Sequence, residues 1–287
     1  MADIFGSCLI LAALCVAAIF GGRRLARFRR PALLVLLILL MAIGYAFFLY
    51  DRLILAQLFP LPCIAVVGNG LLLPLSIFLC ALVAPSISGT RWRKVGFLLP
   101  LVALGTWHAF GPLRGAPPET FAEPTLIDGV VRQTSESSCS AASAATLLRH
   151  AGIAAAEEEL AELCFTRASG TPMLGAFRGL ARKCEITEFD VRVLSRATVD
   201  DLREACQRGP VLLSVGLDRW QRGYDPRYVT EWGWSPGSRH AVVLFGFLPG
   251  GKLDIGDPSV GRERWNEDAL AVLWTGEGVR LVRRRGG

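Results

Sequence analysis

A chain of 287 residues that is 52% hydrophobic is long enough for two ordinary domains, and its charges divide at one point in the sequence. The first 114 residues carry ten basic and two acidic side chains, whereas the remainder carries 21 basic and 23 acidic ones. The net charge of +6 therefore belongs to the apolar N-terminal part and does not indicate nucleic-acid binding, and the eight cysteines lack the CxxC spacing of zinc sites.

The N-terminal part contains four long apolar segments, which we predict to be membrane spans. They cover residues 4–20, 32–50, 64–84 and 95–110. The first segment also has a rival interpretation as a cleaved signal peptide. We favour an uncleaved helix, because only Asp3 precedes the apolar run and the arginines follow it. Residues 1–112 are therefore expected to form a helical membrane domain whose partner is the lipid bilayer.

Basic residues between these segments predict the orientation of the domain. The first and third connections carry the positive charge, at Arg23, Arg24, Arg27, Arg29, Arg30, Arg91, Arg93 and Lys94. The second connection holds only Asp51 and Arg52. Because positively charged loops stay in the cytoplasm, both termini should lie outside. We expect a multi-pass protein of a bacterial inner or plasma membrane with an extracytoplasmic C-terminal domain.

A Pro-rich linker over residues 113–125 separates the membrane domain from residues 126–287. Helical patterns come first in the C-terminal domain and strand patterns follow, which predicts an α+β fold. The helices are expected at 140–150, 155–164, 172–184 and 198–207, and the strands at 211–217, 240–247 and 252–256.

Cys139 stands immediately before an Ala-rich helical segment. The positive end of a helix dipole favours a thiolate, which is the nucleophilic form of cysteine. The small residues that follow would let this helix pack closely into a core. The local sequence is equally compatible with a nucleophile and with a buried structural cysteine.

His240 begins a predicted strand, and Asp257 ends the next one. A hairpin places these two ends side by side, and Asp257 shares its strand face with Leu253 and Ile255 whereas Asp254 points the other way. A thiolate needs a base, and the base needs a third group to orient it. We therefore expect Cys139, His240 and Asp257 to form a catalytic triad.

Gln133 lies six residues before Cys139. Its side-chain amide and the backbone N–H of Cys139 would together suit an oxyanion hole. Taken alone, a solvated polar residue in a turn is the more ordinary interpretation of Gln133.

The ordered set of Gln133, Cys139, His240 and Asp257 resembles the double-glycine-leader peptidases, family thirty-nine of the cysteine peptidases, over about half of the chain. The motifs behind the resemblance are Gln-(five residues)-Cys followed by small residues, a His-Ala-Val-Val-Leu strand, and Asp-Pro. The resemblance implies a papain-like fold, cleavage of peptide bonds in a peptide or protein substrate, a Cys-His-Asp triad with a Gln in the oxyanion hole, and no cofactor.

The chain departs from this family in three respects. Ser138 and Ser140 flank the nucleophile where Asp and Gly are common. The membrane domain precedes the peptidase, and no GxxxxGK[ST] motif is present, so an ATP site is not expected. The family is usually cytoplasmic, in contrast to the orientation predicted above. Two alternatives to peptide hydrolysis therefore stay open, a non-catalytic peptide-binding module of a membrane assembly and acyl transfer by the same triad.

Two further features of the domain allow more than one interpretation. The aromatic stretch 218–239 suits either a lid over a peptide groove or a loop packed onto the domain. Cys164, Cys184 and Cys206 would supply one disulfide if the domain is external, without indicating which pair.

Overall fold

A computed structural model describes residues 2–27, 31–118 and 125–284. Predicted features outside these ranges are Arg29, Arg30, residues 119–124 of the linker and the last three residues. Helices α1 to α12 cover Ala2–Leu25, Pro31–Phe48, Ile54–Leu58, Ile64–Gly70, Leu72–Val83, Arg91–Ala109, Cys139–His150, Glu157–Leu163, Met173–Cys184, Val199–Cys206, Arg227–Thr230 and Glu267–Leu273. Strands β1 to β8 cover Leu126–Ile127, Val130–Val131, Phe189–Leu194, Val211–Val215, His240–Leu248, Lys252–Asp257, Gly261–Asn266 and Trp274–Arg283.

The N-terminal helices pack as a bundle around α5. At one end of the bundle the Ser7 hydroxyl donates to the carbonyl of Cys63 at 3.2 Å. At the other end a Cβ on Gly22 would stand only 2.7 Å from the Phe78 carbonyl oxygen, so this glycine allows α1 and α5 to approach closely. These contacts show that α1 and α5 run in the same direction. Helix α6 returns against α5, with Gly105 beside Ser76 and the Cys80 thiol donating to the Leu98 carbonyl.

Two helices in the described residues are long and apolar enough to cross a membrane, Asp3–Leu25 and Ile64–Ser86, which by itself is weak support for membrane association. The prediction of four spans is therefore corrected. The apolar part of α2, Ala32–Phe48, is shorter than these two helices. Helix α6 begins at Arg91 and carries three basic side chains in its first turn, so its uncharged part begins only after Lys94 and is shorter than either of these two helices. Large apolar side chains are exposed along the bundle, among them Phe5, Leu9, Phe20, Leu36, Leu37, Phe47, Phe97 and Leu99.

The C-terminal region contains a six-stranded antiparallel sheet with the order β3-β8-β4-β5-β6-β7. Alternate side chains of β4 enter opposite cores: Leu212 packs with α7, α8 and α9, whereas Leu213 packs with α10 and α12. The sheet is thus covered by helices on both faces. The four predicted helices and three predicted strands of this region are observed, with ends within two residues of the predicted ones, whereas β3, β7, β8 and α12 had not been predicted.

The helical bundle and the C-terminal region share one hydrophobic core. Leu53, Ala56 and Ala65 are buried in the same cluster as Leu174 and Phe177 of α9. A Cβ on Gly68 of α4 would come within 3.2 Å of the Leu174 side chain, so the two parts meet closely there. The two parts therefore bury apolar surface against each other.

Buried charges lie at the same junction. The Asp51 carboxylate accepts the backbone N–H groups of Met173 at 2.9 Å and Leu174 at 3.1 Å, which are the first two of α9. The first N–H groups of a helix have no intrahelical acceptor, so Asp51 caps α9 from a distant part of the chain. The buried carboxylate of Glu277 in β8 accepts the N–H of Leu53 at 3.0 Å and pairs with Arg52.

Candidate active site

Cys139 is the first residue of α7, and its neighbours explain how it comes to face β5. The small residues that follow it in α7 are buried, so the helix packs directly on the sheet. The Ser143 hydroxyl donates to the carbonyl of Ala241 at 2.9 Å within the core. This hydrogen bond fixes the first turn of α7 to β5, one residue after His240.

The β5–β6 hairpin brings His240 and Asp257 together. Gly250 and Gly251 both have positive φ, 76° and 69°, which suits the tight turn between the two strands. His240 Nε2 and Asp257 Oδ1 are 3.0 Å apart. The Cys139 thiol lies close enough to the His240 ring for each of the two groups to shift the pKa of the other. The structure thus brings Cys139, His240 and Asp257 next to one another.

Ser259 holds the carboxylate of Asp257 in place. Its backbone N–H donates to Asp257 Oδ1 at 2.7 Å, and its hydroxyl donates to the same oxygen. That oxygen therefore has three polar partners, of which His240 is one. The carboxylate is almost fully buried and has little freedom to turn away from the imidazole. Ser259 was not predicted from the sequence, although its position two residues after an Asp is typical of a turn in which the residue donates hydrogen bonds back to the carboxylate.

The three groups shift one another's pKa values. Burial alone would raise the pKa of Cys139, but the hydrogen bond and positive charge of His240 and the Ala241 N–H bring it below its usual value. Burial opposes the charged form of His240, yet the hydrogen bonds to Asp257 and Cys139 raise its pKa to about 10. Asp257 has a lowered pKa, because His240 and Ser259 outweigh its burial. The arrangement favours a thiolate beside an imidazolium at neutral pH.

Gln133 forms hydrogen bonds both beside Asp257 and in the loop that leads to Cys139. Its backbone N–H donates to the carbonyl of Pro258 at 2.8 Å, next to Asp257. Its side-chain Nε2 donates to the Ser135 carbonyl at 3.0 Å, the oxygen that also accepts the Ser138 hydroxyl. Its Oε1 is buried without a hydrogen-bond partner among the described residues. The amide therefore lies beside the residue that precedes Cys139, with one donor hydrogen engaged by Ser135.

A cavity of about 840 Å³ opens beside His240 and Asp257. Its walls are aromatic: Trp234 stands edge-on to the His240 ring with centroids 5.7 Å apart, and Trp265 of β7 lies against Trp234 at 6.0 Å. Trp234 and the half-exposed Trp232 belong to the stretch 218–239, which lines this cavity. That stretch is also packed on the domain, because its Tyr228 is buried in the core cluster that contains Leu217 and Leu273.

The remaining cysteines take no part in the site. Cys164, Cys184 and Cys206 are free thiols, so the disulfide considered from the sequence is not formed. Burial raises the pKa of Cys164 and of Cys206 to about 12, which keeps both unreactive. No group of three or more His, Cys, Asp or Glu side chains suited to a metal ion occurs in the described residues.

No protein-family profile matches the sequence, whereas comparisons with individual proteins and solved structures give similarities, among them the following. An uncharacterized protein of Methanothermobacter marburgensis is 28% identical over 155 residues, which are 54% of this chain and 88% of that protein. The peptidase domain of Streptococcus ComA, a bi-functional ABC transporter of a quorum-sensing pathway, aligns at 24% identity and a TM-score of 0.41, over 54% of this chain and 98% of that domain. A double glycine motif protease from an AMS/PCAT transporter, solved with its leader peptide, aligns at 18% identity and a TM-score of 0.40, over 59% of this chain and 95% of that one.

Proposed function

We propose that the chain is a membrane-anchored, papain-like cysteine peptidase in which Cys139 is the nucleophile, His240 the general base and acid, and Asp257 the residue that orients His240. The observation that carries the proposal is the His240–Asp257 hydrogen bond beside Cys139, whose sulfur lies at the start of α7 and whose pKa His240 lowers. A structural cysteine needs neither a neighbouring imidazole nor a lowered pKa, whereas a nucleophile uses both.

The reaction begins when the Cys139 thiolate attacks the carbonyl carbon of the scissile peptide bond. A C–S bond forms, and His240 donates its proton to the amine nitrogen as the C–N bond breaks. Neutral His240 then takes a proton from water, whose oxygen attacks the thioester. The acid product leaves, and the thiolate and imidazolium are restored. Asp257 stays ionised throughout and stabilises the charged ring.

The oxyanion that develops on the substrate carbonyl needs donors near the sulfur. The backbone N–H of Cys139 belongs to the first turn of α7, where N–H groups have no intrahelical acceptor. The Gln133 amide supplies the second donor when it turns from the Ser135 carbonyl toward the cleft. Loss of one such donor typically lowers kcat about 10²- to 10³-fold.

A second candidate function is peptide binding without cleavage. The engagement of the Gln133 amide with Ser135 favours this candidate, because an amide that stays there leaves the oxyanion with one donor fewer. Ser140, where a glycine is common in the family that the sequence resembles, points the same way. Acyl transfer by the same triad differs from hydrolysis only in that an amine replaces water.

We propose further that the bundle lies in a membrane with the C-terminal region outside the cytoplasm. Helix α1 begins at the junction, where Asp3 contacts Arg178, and ends at Arg23 and Arg24. Helix α6 begins with Arg91 and leads back toward the C-terminal region. The basic residues are thus gathered at the end of the bundle remote from the active site, and positive charge stays in the cytoplasm. The exposed apolar side chains between the two ends suit contact with lipid.

The proposal is tested on the full chain in lipid nanodiscs with a peptide library and mass spectrometry of the products. We expect cleavage by the wild type and none by Cys139→Ala. Cys206→Ala removes a thiol outside the site and serves as the control, which should cleave at the wild-type rate. Binding of peptides without any cleavage by the wild type would favour the binding module. A product in which an added amine replaces the water oxygen would favour acyl transfer.

A further inference from the structure

A second cavity, of about 590 Å³, lies next to the catalytic cleft on the side of the helical bundle. Arg239 lines both cavities and directly precedes His240. The second cavity is lined by the backbone that directly follows β4, by Trp274, and by Arg219 and Trp220 of the aromatic stretch. The two cavities therefore adjoin each other at Arg239.

Three arginines from separate parts of the chain line this cavity: Arg52 follows α2, Arg219 follows β4, and Arg239 precedes β5. The loop is closed at its base by the Gly237 N–H, which donates to the Leu217 carbonyl at 2.8 Å. This closure brings Arg219 and Arg239 to the same side of the cavity. The approach is close, since a Cβ on Gly237 would meet Arg219 Nε at 2.9 Å.

The positive charge of this cavity is only partly neutralised. The buried carboxylate of Glu277 pairs with Arg52 and also attracts Arg239, so this one negative charge is shared by two arginines. The carboxylate of Asp218 accepts the N–H of Trp220 at 2.8 Å. Neither Arg219 nor Arg239 forms an ion pair within 4 Å in the part of the chain that the structure describes, and both side chains are exposed. At least one guanidinium charge therefore faces the cavity without a fixed counter-ion.

We infer that this cavity is a substrate subsite that binds an acidic side chain, Asp or Glu, of the peptide in the catalytic cleft. The inference rests on the proposed peptidase function for the identity of the ligand. Guanidinium groups bind carboxylates through paired N–H donors, which gives direction as well as charge. Trp220, 83% exposed at the rim, offers an apolar face to the stem of such a side chain. The continuity with His240 through Arg239 favours a peptide over the other anion available near a membrane, a phospholipid headgroup.

The inference is tested with pairs of peptides. The two members of a pair differ only in having Glu or Gln at one position, and each position around the scissile bond is tested by its own pair. At one position the wild type should prefer Glu about tenfold in kcat/KM, as expected for a hydrogen bond to a charged group. Arg219→Gln and Arg239→Gln should each reduce the Glu-to-Gln ratio toward one, and Arg222→Gln, an exposed residue of the same loop outside both cavities, should leave it unchanged. The readout is the Glu-to-Gln ratio and not the absolute rate. Arg239 adjoins His240, and an effect of its substitution on His240 changes both rates but cancels in the ratio.

Binding to Cys139→Ala, measured by fluorescence anisotropy of the same peptides, separates this subsite from catalysis. A Glu preference in binding that Arg219→Gln removes supports the subsite even if no cleavage is found. Cleavage with equal rates for Glu and Gln peptides at every position overturns the subsite and leaves the peptidase proposal intact. An effect of Arg219→Gln that appears only when phosphatidylglycerol replaces phosphatidylcholine in the nanodisc, with an unchanged Glu-to-Gln ratio, overturns it in favour of a headgroup site.

Discussion

Arg178 in the middle of α9 forms a buried, two-pronged ion pair with Asp3 in the first turn of α1, across 175 positions of the sequence. The guanidinium–carboxylate contacts are 2.6 and 3.1 Å, and the Arg178 side chain is only 4% exposed. Arg178 also donates to the Leu163 carbonyl and lies over the Phe165 ring. Because α9 packs on α7, this pair connects the bundle to the helix that carries Cys139.

Removal of one partner of this pair should destabilise the whole chain. Arg178→Met leaves the Asp3 carboxylate in the junction without its guanidinium, and such a loss typically lowers the free energy of unfolding by about 3–5 kcal/mol. The matched control is Arg182→Met, whose surface pair with Glu185 in the same helix should contribute less than about 1 kcal/mol. Thermal unfolding in detergent compares the two variants. Equal midpoints for both would contradict a structural role for the buried pair.

The pH dependence of cleavage should reflect the shifted pKa values of the thiol and the imidazole. Activity should fall toward acid as the lowered pKa of Cys139 is crossed, because the thiolate is protonated there. Activity should fall toward alkali as the pH passes the raised pKa of His240, about 10, because the proton for the leaving amine is lost. Asp257→Asn removes the carboxylate whose hydrogen bond and charge raise this pKa, so the alkaline limb should move to lower pH. An alkaline limb that does not move would exclude Asp257 as the orienting group.

Gln133→Ala distinguishes a catalytic amide from a structural one. If the amide stabilises the oxyanion, kcat should fall about 10²- to 10³-fold with little change in KM, since that bond is made only in the transition state. Ser135→Ala is the matched control, because it keeps the Ser135 carbonyl that holds the amide. Steady-state kinetics of both variants with one peptide provide the comparison. A proportional rise in KM at constant kcat would place Gln133 in substrate binding.

The orientation of the bundle predicts which end of the chain is accessible from outside. Alkaline phosphatase fused after Gly287 should be active, because this enzyme matures only outside the cytoplasm. The same reporter fused after Lys94 should be inactive, since the basic end of the bundle is expected in the cytoplasm. Activity assays on intact cells give both results. The reverse pattern would place the active site in the cytoplasm and reject the proposed orientation.

Local patterns in the sequence predicted most elements of the C-terminal region, and the reason is physical. Helices α7 to α10 have apolar spacing that repeats with the turn of a helix, and the β5–β6 hairpin combines alternating apolar residues with a Gly-Gly turn. The same hairpin geometry explains why His240 and Asp257 could be paired from sequence. The partner of Cys139 could be predicted because a nucleophilic thiolate needs a base and the sequence contains only three histidines.

What the sequence did not predict depends on contacts between distant residues. Strand β8 contains Gly276 and Gly278 among charged residues, so its local preference for a strand is weak and its place between β3 and β4 stabilises it. Asp51 caps α9 by accepting the N–H of Leu174, which lies 123 positions away in the sequence. The number of spans was overestimated because the apolar run of α6 was considered without the basic first turn that belongs to the same helix.

Covalent modification of the thiol at pH 6 tests the central claim most directly, because it needs no knowledge of the substrate. The full chain is treated with an E-64-type epoxide, and the adduct is located by mass spectrometry. We predict a single adduct on Cys139 in the wild type and almost none in His240→Ala, where burial raises the thiol pKa without an opposing charge. Equal modification in both proteins, or an adduct on Cys164, Cys184 or Cys206 instead, would contradict the account.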